Sequence, residues 1–195
     1  SSAASDVYKR QPLGYAELWI RDGGTTPRDA AFTPLLTAWL DDFTARGVTA
    51  VGFGYILVRR PAADGVPLRR LERVTQPVSN VGAALRAGLA AHDVLATGLP
   101  ATLLVAPDVT EARHLLPGND DPSIIELRQG GGFARTITVD PALAGFVGAC
   151  DGDLTVVQIV SALADLFEVP LVELWADLEP RIRQLVLDGL LVPGE

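Results

Sequence analysis

The chain has 195 residues, 48% of them hydrophobic and 21% charged, a globular balance that excludes a disordered polymer. Its 24 acidic and 16 basic side chains give a formal net charge of -8, which repels phosphates and argues against polyanion binding. One cysteine, Cys150, and two histidines, His92 and His114, exclude a disulfide scaffold and a Cys/His zinc cluster.

In chain order, Asp6 to Arg10 reads as a short strand. A helix follows from Pro12, with Leu18 and Trp19 at i+3 and i+4 from Tyr15, and Gly23-Gly24 stops it. Thr33-Pro34 reads as an N-cap and first helical position. Leu36, Trp39, Leu40 and Phe43 then share one helical face, and Gly47 ends the helix. Val48 to Val58 is rich in β-branched and aromatic residues and apolar on both parities, which predicts a buried strand ending at Arg59-Arg60. It is the longest apolar run, is interrupted by Thr49, Gly52 and Gly54, and falls short of the ~18 residues needed to span a bilayer.

Residues 61 to 80, with Pro61, Gly65, Pro67 and Pro77, read as a surface connection holding one extended stretch, Leu68 to Val74. Ala83 to Leu95 reads as a helix. Thr102 to Val105, Ile124 to Arg128 and Ala134 to Val139 read as strands of a small antiparallel sheet, separated by the loop Pro117 to Pro122 and the turn Gly130-Gly131-Gly132.

Asp140-Pro141 caps a helix bearing Leu143, Phe146 and Val147, and Asp151-Gly152-Asp153 reads as the turn that ends it. Thr155 and Gln158 have capping-box spacing at the head of a helix whose core face is Ile159, Leu163 and Leu166. Leu171, Leu174, Leu178, Ile182 and Leu185 continue at helical spacing, with a kink or split expected at Pro180. Gly189 closes that segment, and Leu190 to Val192 reads as a strand. The order of helix, helix, helix and strand resembles half of a winged-helix domain.

Phosphate-cradling Gly-x-x-x-x-Gly-Lys loops, Gly-x-Ser-x-Gly elbows and His-Glu-x-x-His pairs are missing from the sequence. Gly52-Phe53-Gly54 lacks the third glycine and the following helix of a dinucleotide loop, so it reads as close backbone packing or a bulge. His92 with Asp93, and His114 with Asp108 and Glu111, read as solvated pairs, with acid–base work in a hydrolase as the weaker alternative. Cys150 reads as a small buried hydrophobe.

Charge is uneven along the chain. Residues 1 to 75 hold ten basic and eight acidic side chains, net +2, whereas residues 136 to 195 hold Arg181 and Arg183 against ten acids, net -8. DNA binding by that acidic module is therefore disfavoured. The five arginines from Arg59 to Arg73 read as a solvated rim, with an anionic partner or RNA as the alternative.

Several stretches carry a family resemblance. They are Asp6 to Gln11, Tyr15 to Asp22, Ala38 to Phe43 running on to Gly47 through Gly54, Leu104 to Val109, and Leu143 to Ile159 with its centre Gly148 to Thr155. Together they resemble the C-terminal half of actinobacterial SAM-dependent methyltransferases. That family joins a class I Rossmann-like domain, similar to the small-domain and release-factor glutamine methyltransferases, to a C-terminal extension. Its acidic-Gly-x-Gly cofactor loop and Asn-Pro-Pro-Tyr-type motif have no match here, so no catalytic, cofactor-binding or metal-binding residue is assigned.

The resemblance implies an α+β chain in three parts. Residues 1–60 would be the last strands and helices of a Rossmann-like methyltransferase sheet, 61–135 a mixed connecting region, and 136–195 an acidic winged-helix-like module. S-adenosylmethionine would be bound by the parent protein, with no cofactor expected on this chain alone. The expected partners are the rest of the methyltransferase domain and, through a bare sheet edge over residues 6 to 58, a second copy of the chain. An acidic protein-interaction module is the alternative function. The chain lacks methionine, so part of a longer protein is expected, and neither a secretory signal nor a spanning segment is recognisable, so the expected location is cytoplasmic.

Overall fold

The computed structural model describes residues 9–60, 67–72, 74 and 80–194. The architecture is mixed α+β, with six helices among the described residues. The chain divides into two compact units, Ser1–Arg59 with Glu72–Pro77, and Arg60–Leu71 with Val78–Glu195. Most of the expected connection lies outside the described residues, at 61–66, 73 and 75–79. Its described part, residues 67–72 and 74, has no regular structure.

The first unit contains β1 (Lys9–Arg10), α1 (Pro12–Asp22), α2 (Phe32–Ala45) and β2 (Val51–Gly52). Asp6 to Tyr8 of the expected first strand lie outside the described residues. Pro12 opens α1, where a missing amide costs nothing because first-turn amides have no helical acceptor. Tyr15 packs against Trp19, Trp39, Phe43 and Phe53 with ring centroids 5.9 to 6.2 Å apart, which joins α1 to α2. Ala16, Ile20, Phe32 and Phe43 are the buried apolar residues of this unit among those described.

Two local expectations need correction here. Thr33 is not the N-cap: α2 starts at Phe32 after Ala31, and Pro34 sits within the first turn. A preceding turn makes the entry, with the Asp29 carboxylate accepting the Thr26 amide at 2.6 Å and hydroxyl at 2.7 Å, and the Asp29 carbonyl accepting the Phe32 amide at 3.0 Å. These Thr26 hydrogen bonds, the hydroxyl's foremost, hold the Asp29 carboxyl below its usual range.

The larger correction concerns Val48 to Val58, which is not a buried strand. Among the described residues, ladder pairing is limited to Lys9↔Gly52 and Arg10↔Val51, and residues 53–60 have no regular structure. Tyr55 is 83%, Ile56 93% and Val58 85% exposed. A strand apolar on both faces needs neighbours along its edges and layers over both faces, and β1 supplies two residues of that.

The second unit contains α3 (Val81–Thr97), β3 (Thr102–Val105), β4 (Val109–Leu115), β5 (Pro122–Gln129) and β6 (Thr136–Val139). It continues through α4 (Pro141–Gly148), β7 (Asp151–Thr155), α5 (Val156–Phe167), α6 (Leu171–Asp188) and β8 (Leu191–Pro193). Two antiparallel three-stranded sheets form, ordered β7-β3-β8 and β4-β5-β6. Leu127, Phe146, Val160, Leu178, Ile182 and Leu191 lie at the centre of one continuous apolar core.

Local chemistry sets most boundaries. The Asp140 carboxylate accepts the Leu143 amide at 2.9 Å and pairs with Arg181 at 2.6 Å, so the cap of α4 also ties down α6. Burial alone would raise the Asp140 carboxyl; the Leu143 amide and Arg181 outweigh it and hold it below the usual range. Thr155 and Gln158 form the reciprocal capping box of α5. At Gly189, φ is 77°, and the Leu190 amide reaches back to the Leu185 carbonyl at 2.9 Å, which closes α6 in a Schellman turn.

Asp151-Gly152-Asp153 is part of a strand rather than only a turn, since β7 pairs with β3 across an irregular register. Gly152 adopts φ 92°, and a Cβ there would stand 3.0 Å from Leu104 Cδ2, so glycine alone suits the position. β4 was absent from the sequence reading. Leu166, expected on the core face of α5, is 72% exposed, and the buried stripe is Val156, Ile159, Val160 and Leu163. Pro180 does not split α6. Pro180 and Ala176 are both exposed, so water can satisfy the Ala176 carbonyl that loses its helical donor.

Candidate functional site

The titratable candidates do not converge on a reactive centre. His114, on β4, has its Nε2 3.2 Å from Glu126 Oε2 on β5, whereas Glu111 pairs with Arg113 at 2.5 Å. Arg128 first, and His114 after it, hold the Glu126 carboxyl below its usual range. Ser123 Oγ lies 3.0 Å from His114 and donates to its backbone carbonyl, not to the ring. A serine, a histidine and a glutamate thus share one sheet without the nucleophile–base contact that hydrolysis needs.

Asp108 serves the backbone. Its carboxylate accepts the Gly131 amide at 2.7 Å and its carbonyl the Gly130 amide at 2.8 Å, which fixes the triple-glycine turn. His92 lies half-buried on α3, beside a depression of 200 Å³ lined also by Leu95, Ala96, Arg183 and Leu187.

Cys150 is 3% exposed and its thiol donates to the Phe146 carbonyl at 3.3 Å. Burial, with Asp151 adding to it, pushes this thiol up to about 12, which suits a buried hydrophobe and not a nucleophile. A Cβ at Gly52 or Gly54 would meet open space, so the expected close backbone approach there is absent. Among the described residues no cluster of three or more His, Cys, Asp or Glu is placed to hold a metal ion, and no helix is long and apolar enough to cross a membrane.

One charged cluster escaped the sequence reading. Asp188, at the C-terminal end of α6, pairs through its carboxylate with Arg70 and, at 3.3 Å, with Arg135, while Gln184 donates to it at 3.0 Å. Arg70 also donates to the Leu187 carbonyl at 2.7 Å, and Gln129 donates to the Asp188 and Gly189 carbonyls at 3.2 and 3.3 Å. Side-chain exposures of 10% for Asp188, 15% for Arg135 and 24% for Arg70 make this an internal latch. Arg70 therefore belongs to the packing of the second unit rather than to a solvated rim; Arg73 lies outside the described residues.

The outer side of α6 is anionic. Arg181 is held by Asp140 and by Asp177 at 2.7 Å, and Arg183 by Glu179 and by the Leu95 carbonyl at 3.2 Å. Both cations of residues 136–195 are thus committed internally. Trp175, Glu179 and Arg183 line an open depression of 430 Å³ together with Leu99 to Ala101 and Thr155 to Val157. Among the described residues, two exposed apolar surfaces also stand out, one in each unit: the stretch Phe53 to Val58 in the first, and the turn between α5 and α6 in the second. The chain matches no protein-family model, no curated protein and no solved structure.

Proposed function

We propose that this chain is the C-terminal part of a SAM-dependent methyltransferase, supporting the domain and recognising partners while methyl transfer occurs on residues outside it. The observation that carries this reading is the exposure of Phe53 to Val58, whose composition is that of a strand buried on both faces. A Rossmann-like sheet would cover it. In such an enzyme the acceptor attacks the SAM methyl group in line, and the protein contributes orientation. The residues described above would enter through the sheet they complete.

The second unit supports a winged-helix-like reading of the extension. α4, β7, α5, α6 and β8 run helix, strand, helix, helix, strand, and β3 takes the central place in the β7-β3-β8 sheet that a third, later strand takes in a winged helix. α6 would then stand where a recognition helix stands. Its four acids, Glu173, Asp177, Glu179 and Asp188, against two paired arginines argue for a protein partner and against DNA. A second reading, an acidic interaction module with no methyltransferase parent, is favoured by the same charge distribution.

If Phe53 to Val58 awaits a sheet, the chain by itself will use that stretch to associate. Sedimentation velocity is expected to show concentration-dependent association that Ile56→Asp, at a 93% exposed position, abolishes without unfolding the chain. A wild-type monomer at every concentration would contradict the reading.

A further inference from the structure

The turn between α5 and α6 is unusually apolar for an exposed corner. Leu166 is 72%, Phe167 40%, Val169 39%, Leu171 42% and Val172 79% exposed. The backbone there is fixed. The Val169 amide reaches the Ala164 carbonyl at 3.0 Å, Glu168 takes a left-handed conformation with φ 54°, and the Glu173 and Leu174 amides reach the Pro170 carbonyl at 3.0 and 3.1 Å. A backbone already fixed in shape lowers the ordering cost of docking.

Three carboxylates, Asp165, Glu168 and Glu173, are exposed along the same stretch, and the sequence has no basic residue between Arg135 and Arg181. This charge chooses the occupant. A second copy of the corner would bring three more carboxylates against the first three, and like charges across an interface are penalised. Anionic lipid and nucleic acid are repelled in the same way. A cationic polypeptide gains on both counts, by covering the apolar anchors and by placing its charges on the acidic rim.

We propose that the α5–α6 corner is a docking site for a basic amphipathic protein segment, with Leu166 and Val172 as anchors and Asp165, Glu168 and Glu173 as the charged rim. The inference rests on the reading of the second unit as an acidic interaction module and adds the place and the partner's chemistry. Such a segment presents an apolar stripe at helical spacing flanked by Lys or Arg.

The test uses the full chain and a fluorescent synthetic helix with leucines at i, i+3, i+4 and i+7 and lysines elsewhere. Anisotropy should show saturable binding that Leu166→Ser with Val172→Ser weakens about tenfold or more. Glu168→Lys with Glu173→Lys should weaken it most at low salt. All four positions are exposed, and a matching urea transition confirms that each variant folds.

Equal binding by wild type and the Leu166/Val172 variant would overturn the corner as the site while leaving an acidic module. Absence of peptide binding would overturn both. Equal binding of a Leu/Glu helix, or of vesicles with neutral headgroups, would show that apolar contact acts without the charge rim and would overturn the stated partner.

Discussion

Replacing Asp188 with alanine is expected to destabilise the second unit by about 3 kcal/mol, because it removes the carboxylate that two largely buried guanidinium groups share. The sign is informative. An acid in the last turn of a helix opposes the helix dipole, so if Arg70 and Arg135 contributed nothing, the alanine variant would be more stable by about 0.3–1 kcal/mol. A urea midpoint that falls supports the latch, and one that rises removes it. Asp188→Asn should lie between, since it keeps a hydrogen-bond acceptor for the arginines and Gln184 without the charge.

Phe146→Ala is expected to cost about 4 kcal/mol, as Phe146 is 0% exposed at the centre of the second unit's core. Leu166→Ala should change stability by no more than about 0.5 kcal/mol, although helical spacing places Leu166 with Ile159 and Leu163. Urea denaturation of the two variants side by side distinguishes the observed core from the one that periodicity predicts. Comparable losses at both positions would mean that Leu166 is packed.

The contrast between Phe146 and Leu166 shows how far local sequence signals reach. Signals completed within a few residues were legible: the Asp140-Pro141 cap, the Thr155–Gln158 box and the Gly189 stop all act through neighbouring backbone amides and carbonyls. β4 was illegible because it is an edge strand on which Thr110, Glu111, Arg113, His114 and Leu115 are all exposed, leaving no apolar alternation to detect. Asp151-Gly152-Asp153 carries turn chemistry, and only pairing with β3 makes it a strand.

Long-range partnerships had no local signal at all. Arg70 and Asp188 stand 118 positions apart, so an arginine in a proline-rich connection looked like a solvated charge. The site followed the same rule: His114 faces Glu126 across two strands rather than the nearby Asp108 and Glu111. Val48 to Val58 failed differently. Its composition specifies an environment of neighbouring strands and covering helices that the described residues of the first unit do not provide.

That environment is the central claim, and calorimetric titration of S-adenosylmethionine tests it most directly. The chain alone should show no saturable heat, whereas the polypeptide extended upstream in its reading frame should bind the cofactor at a single site. Saturable binding by these 195 residues by themselves, or an extended polypeptide that binds none, would contradict the account.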